Sequence, residues 1–171
     1  MNTHFATEFL SLPTAVLTVS DTRSLEDDRS GDYLCRELAN AGHEVLEREI
    51  LPDDIYRIRA VVATWIADEA IRLVLTTGGT GYRDRDVTPE AIRPLLDRRI
   101  EGFGELFRVI SEREIGSSTV QARPLAGLAN GTLVFALPGS TGACRTAWEG
   151  ILREQLDARH RPCNFAEILG S

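Results

Sequence analysis

The sequence predicts an α/β fold: a mostly parallel central sheet covered by helices on both faces. Three observations carry that reading. Two short apolar runs, residues 15–19 (AVLTV) and 132–137 (TLVFAL), have the length and β-branched content of strands buried on both sides. Elsewhere apolar residues recur at helical spacing. The two kinds of segment alternate, with no internal repeat and no low-complexity linker.

Taken in order, residues 15–19 follow Pro13 as the first strand. A helix over 30–41 places Leu34, Leu38 and Ala41 on one face and stops at Gly42. Residues 45–51 form a more polar strand, expected near a sheet edge. From Ile55, a helix carries Ile58, Val61, Val62, Trp65 and Ile66 at helical spacing, with Asp54 placed to cap it. Residues 71–75 (IRLVL) read as a buried strand. Thr88 is the expected N-cap of the next helix, with Pro89 at its first position and Glu90 at the positive end of its dipole. Phe103, Leu106, Phe107 and Ile110 mark one face of a further helix. Residues 120–128, interrupted by Pro124, read as extended. After the strand at 132–137, Ser140 or Thr141 caps a last helix whose apolar face holds Cys144, Ala147, Trp148, Ile151, Leu152 and Leu156.

Composition narrows the function. A chain of 171 residues is one domain, long enough to bury roughly 70% of its unfolded surface. The net charge of −7 lacks the basic footprint that nucleic acid or an anionic membrane requires, so neither is an expected partner. No run approaches the roughly 20 apolar residues of a membrane helix. The first twelve residues carry Glu8 and no basic segment, unlike a signal peptide. Cys35, Cys144 and Cys163 are odd in number and widely spaced, which suits a reducing cytoplasm and neither a disulfide framework nor a metal cluster. Cys144 belongs to an apolar face and reads as core. His4, His43 and His160 are scattered, and none makes a convincing catalytic base.

The most informative segment is Thr76-Thr77-Gly78-Gly79-Thr80-Gly81, followed by Asp86-Val87-Thr88-Pro89-Glu90. It combines strand, glycine turn, carboxylate and helix start. Backbone N–H groups bared by glycines, beside threonine hydroxyls, suit a phosphate or another anionic oxyacid. A nucleotide P-loop is excluded because it needs a lysine, and all 19 basic residues here are arginine. The dinucleotide fingerprint fails too, since no glycine stands three residues after Gly81.

Ligands of parallel sheets bind outside the carboxyl ends of the strands. Four such ends carry polar or glycine-rich turns: Ser20-Asp21, Asp53-Asp54, the glycine turn, and Pro138-Gly139-Ser140-Thr141. Converging, they make one cleft. Carboxylates beside a phosphate cradle point to Mg²⁺, which takes one or two carboxylates plus substrate phosphates, and Asp53 and Asp86 are the candidates. Arg83 or Arg85 is placed to neutralise phosphate oxygens. The implied chemistry is phosphoryl or nucleotidyl transfer.

TTGGTG with RDVTPEA, LPDD upstream, LPGS downstream and the ending CRTAWEGILREQLDARHRPCNF resembles the molybdenum cofactor biosynthesis proteins of the MoaB/Mog type, over residues 15–165. The resemblance implies a three-layer α/β/α sandwich, the molybdopterin-binding, MogA-like fold, over residues 13–165, with tails at 1–12 and 166–171. It implies homotrimers, or homohexamers built from them. It further implies Mg²⁺- and ATP-dependent adenylylation of molybdopterin with release of pyrophosphate, the product passing to a metal-insertion enzyme of the pathway. Asp53 and Asp86 match the family's two acidic active-site positions, which also hold Mg²⁺. Thr77, Gly78, Gly79, Thr80 and Gly81 match the molybdopterin/nucleotide turn, and Ser20, Asp21, Pro138, Gly139 and Ser140 match turns around it. Many relatives have Ser-Arg where this chain has Ala122-Arg123. The alternatives are a non-catalytic molybdopterin carrier and a Mg²⁺-dependent transferase or hydrolase acting on another phosphorylated metabolite; the retained Asp53 and Asp86 favour the adenylyltransferase over the carrier.

Overall fold

In the computed structural model, which describes residues 6–170, six strands form one sheet in the order β2-β1-β3-β6-β5-β4. β1 (Pro13–Val19), β2 (Glu44–Leu51), β3 (Leu73–Thr77) and β6 (Thr132–Leu137) run parallel. β4 (Arg98–Arg99) and β5 (Leu125–Ala129) extend the sheet antiparallel. Alternate side chains of the buried strands feed two cores. Val16, Leu73, Leu75, Leu133 and Phe135 pack under α1 (Arg29–Ala41), α4 (Glu101–Ile115) and α5 (Thr141–Ala147) with its continuation. Ala15, Leu17, Val74, Val134 and Ala136 pack under α2 (Ile55–Ala67) and α3 (Thr88–Ile92). The three expected layers follow from this period-two alternation.

Several local expectations hold for their stated reasons. Gly42 ends α1 in the left-handed region at φ 99°. Asp54 caps α2, accepting from the N–H groups of Tyr56 and Arg57, and Ser140 caps α5 through Ala143 N–H. β2 has no buried residue and lies at the sheet edge. Cys144 is fully buried, and burial pushes its thiol up to about 11. The last helix keeps its six apolar residues inside, through a π turn at Trp148–Leu152 and α6 (Arg153–Gln155).

Others are corrected. The strand expected at 71–75 starts at Leu73, because Ile71 N–H closes a turn on Asp68 O, and it ends at Thr77. Thr76 and Thr77 are therefore ladder residues, opposite Ala136 and Leu137, rather than part of the turn. Val87, not Thr88, is the N-cap of α3; the Thr88 hydroxyl donates to Gly78 O at 2.9 Å instead. Leu106, expected in the core, is exposed, and α4 buries Phe103 and Phe107. Residues 116–121 form a 3₁₀ turn, so the extended segment begins only at Leu125, after Pro124.

The flanks are packed. Leu12 joins the same core as Ala166 and Leu169 of α7 (Ala166–Gly170), so the packed unit reaches past 13–165 at both ends. Residues 1–5, including His4, and residue 171 lie outside the described residues.

His43 fixes the segment before β1. Its Nδ1 accepts Leu12 N–H at 3.1 Å, and its ring lies 5.0 Å from that of Phe9. Burial, partly opposed by Asp157, holds its pKa down at about 4. As the pH falls below the ordinary 6.5 the unfolded chain takes the proton first, so this contribution is complete above that pH and is lost on approaching 4. The loss amounts to about 3 kcal/mol. Denaturant melts at pH 7 and pH 4.5 check this: His43→Gln, which keeps an acceptor, loses this part of the pH dependence.

Candidate functional site

The strand order reverses between β1 and β3: the chain passes outward to β2, then returns to the other side of β1. That switch point opens a crevice at the carboxyl ends of the strands. All four expected turns meet there. Ser20 N–H donates to Leu51 O at 2.8 Å, tying the ends of β1 and β2, and Gly78 N–H donates to Leu137 O at 3.0 Å, tying β3 to β6. Asp53 N–H donates to the Asp21 carboxylate at 3.1 Å.

Two cavities of about 350 and 360 Å³ lie side by side at this crevice. Ser20, Asp21, Asp53, Thr77 and Gly78 line the first. Thr80, Gly81, Pro138 and Ser140 line the second. Gly79, Asp86 and Gly139 line both. The structure thus brings these twelve residues together and divides them between two compartments; Arg85 lines neither.

The glycines are required by the fold itself. Gly78 and Gly79 have φ of 105° and 65°, a region that strains other residues. A Cβ on Gly78 would overlap the Val19 carbonyl; one on Gly79 would overlap the Thr88 hydroxyl and sit 2.7 Å from Asp53 Oδ1. One on Gly81 would lie 2.5 Å from Asp86 Oδ2. Gly79 and Gly81 therefore make room for the two carboxylates. The turn offers fewer donors than the sequence suggests, because Gly78 N–H is taken by Leu137. Among the described residues, the N–H groups of Gly79, Thr80 and Gly81 have no hydrogen-bond partner.

Charge separates the acidic groups. Arg85, expected to face a phosphate, instead pairs with Asp21 (Nη2–Oδ1 2.8 Å) and, chiefly through hydrogen bonding, lowers that carboxyl's pKa. Asp86 folds onto its own turn: Oδ2 accepts Arg83 N–H at 2.8 Å. Asp53 has no ion pair among the described residues, and its buried Oδ1 lacks a hydrogen-bond partner. Burial first, then the charges of Asp21 and Asp86, raise its pKa above the ordinary value. An unpartnered carboxylate beside two others is a site that a cation would relieve. Among the described residues no group of three or more His, Cys, Asp or Glu side chains is arranged to hold a metal. The donor set fits Mg²⁺ shared between Asp53, Asp86 and substrate phosphates, not a cation caged by protein alone.

Sequence reading missed Asp28. It is fully buried at the wall of the first cavity, accepting from Gly31 N–H, the Thr18 hydroxyl and Arg48. The available signal was its position at the start of α1, where Asp is a favoured cap. Ser30, whose hydroxyl donates to Gly139 O at 2.9 Å, was missed too, as were Ser118 and Gln121 in the second cavity.

This fold, with an acid-bearing glycine turn at its switch point, defines the class. Residues 15–158 match the family described as a probable molybdopterin binding domain, and the chain belongs to that family. It is 56% identical over 160 residues to molybdenum cofactor biosynthesis protein B of Escherichia coli (strain K12), covering 94% of each chain. A crystal structure of a molybdenum cofactor biosynthesis protein B superposes with a TM-score of 0.85 at 40% identity, covering 94% of this chain and 95% of that one. The tungsten cofactor synthesizing protein MoaB from Pyrococcus furiosus superposes at 0.75 with 37% identity, covering 82% and 89%.

Gly79→Ala tests the space argument. Its methyl group must displace Thr88 or Asp53 and hold a left-handed backbone, so stability falls by about 1–3 kcal/mol. A thermal melt reads this as a drop of roughly 3–10 °C.

Proposed function

We propose that the protein acts in molybdenum cofactor biosynthesis as a nucleotidyltransferase that adenylylates molybdopterin, with ATP as co-substrate. The observation that carries the reading is the pair of adjoining cavities that share Asp86, Gly79 and Gly139, with unpartnered Asp53 at the wall of one. Two substrates brought end to end need this arrangement. In this reading the acid-walled cavity takes the nucleotide phosphates with their cation. The neighbouring cavity takes the pterin, its phosphate received by the free N–H groups of residues 79–81.

The transfer follows from that placement. An oxygen of the terminal phosphate of molybdopterin attacks the α-phosphorus of ATP. The bond from that phosphorus to the bridging oxygen breaks, and pyrophosphate leaves with the electron pair. The attacking group is already an oxyanion, so no general base is needed. Mg²⁺, when bound by Asp53 and Asp86, supplies neutralisation of the phosphate charge. The chain's own part is to align the two phosphates and to keep the two carboxylates in place beside them.

Incubating the purified protein with molybdopterin, ATP and Mg²⁺ tests the reading: adenylyl-molybdopterin and pyrophosphate accumulate together. A carrier would bind molybdopterin and form neither. Asp86→Asn keeps the shape but removes the charge, and transfer falls roughly a hundredfold or more, while molybdopterin affinity is unchanged. Turnover that survives this substitution would assign the metal to a different carboxylate.

We also propose a homo-oligomer with threefold symmetry, a trimer or a hexamer built from it. Leu106, Val109 and Ile115 on α4, with Val120 in the turn that follows, are 46–66% exposed, apolar side chains that closed symmetry would cover. Light scattering at micromolar concentration gives a mass three or six times that of the chain; a monomer mass refutes the proposal.

A further inference from the structure

We propose that Arg123 is the positioning residue that fixes Asp86 against the sheet; its effect on turnover, though not its structural role, rests on the adenylyl-transfer reading above. Asp86 is carried by the turn that leaves Gly81 and returns at the start of α3. Its own hydrogen bonds, Asp86 N–H to Arg83 O at 2.9 Å and Arg83 N–H to Asp86 Oδ2 at 2.8 Å, join residues inside the turn. They give the turn its shape without fixing where it stands.

Arg123, just before β5, supplies that fix. Its main-chain N–H donates to Thr80 O at 2.9 Å. Its Nε donates to Gly81 O at 2.8 Å, and its Nη2 donates to Asp86 O at 2.7 Å. One planar edge of the guanidinium thus holds both ends of the 81–86 turn at once. The remaining arm, Nη1, pairs with Glu90 in α3, and the guanidinium carbon lies 4.9 Å from the centre of the Tyr82 ring. The side chain is only 19% exposed, so these bonds are largely shielded from water.

The geometry of the fork, rather than its charge, does the positioning. A lysine can neutralise Glu90, but its ammonium is a point donor that cannot span two carbonyls with parallel bonds. Two explanations of Arg123 therefore separate cleanly. If it serves only to neutralise Glu90, whose Oε2 is buried without a partner, Arg123→Lys restores everything. If it positions Asp86, lysine fails where arginine succeeds.

The test is amide hydrogen exchange by NMR on the full chain, comparing the wild type with Arg123→Lys, Arg123→Gln and the control Arg108→Gln, an arginine of α4 whose Nη2 reaches the Ala122 carbonyl at 3.5 Å and not the 81–86 turn. We expect the amides of Arg83, Asp86 and Thr88 to exchange roughly tenfold faster or more in both Arg123 variants, the scale of losing one charge-assisted hydrogen bond. The amides of β3 and β6 keep their protection, and the control matches the wild type. In the transfer assay both variants lose kcat by about a hundredfold with an unchanged KM for molybdopterin, as expected of a misplaced group. Wild-type exchange in Arg123→Lys would overturn the proposal, and so would loss of protection throughout β3 and β6, which would make Arg123 a residue of the fold. Altered exchange with full turnover would refute the catalytic consequence. If the wild type makes no adenylyl product, the adenylyl-transfer reading fails, and the exchange result still decides the placement of Asp86.

Discussion

No side chain fits between the ends of β1 and β3. Gly78 brings its backbone against the Val19 carbonyl at a φ that only glycine adopts readily, and much of the cleft depends on that approach. Because the strands close there, the Ser20-Asp21 and glycine turns share one crevice. Because the chain must then turn away sharply, Gly79 and Gly81 follow, and the room they leave is taken by the carboxylates of Asp53 and Asp86. Steric constraint and chemistry are here one arrangement: a methyl group at any of the three positions would collide with the strand or with an acid.

The same crowding explains how an acidic protein tolerates acids at one end of its sheet. Asp28 is neutralised by Arg48 and Asp21 by Arg85. Asp86 is held by main-chain N–H. Only Asp53 is left with neither a cation nor a satisfied buried oxygen. The local balance thus leaves one charge uncompensated at the wall of the first cavity.

The parallel sheet was legible because its buried strands are short apolar runs, and the convergence of four turns followed from that topology. What escaped the sequence was where polar side chains spend their hydrogen bonds. Thr76 and Thr77 look like turn residues beside glycines, yet β-branching suits them equally to a buried ladder. Thr88 has the composition of a cap, but Gly78 O competes for its hydroxyl. Arg85 and Arg123 both lie near the turn, and nothing local says that one pairs with Asp21 while the other grips the loop, since each partner comes from a distant part of the chain. The 3₁₀ turn at 116–121, which brings Ser118 and Gln121 to the second cavity, has no periodicity to announce it.

Both described ends of the chain lie far from this chemistry. Ala6 N–H donates to Glu167 at 3.1 Å, and Arg72, just before β3, donates to Leu169 O. The two ends thus meet each other at the amino ends of the parallel strands, while the cavities open at the carboxyl ends. A strand of five to seven residues separates them, roughly 17–23 Å. A fluorophore or a surface tether attached at residue 6 or residue 170 itself starts from the face opposite the cleft, so the protein can be held at either point with its cavities turned away from the attachment.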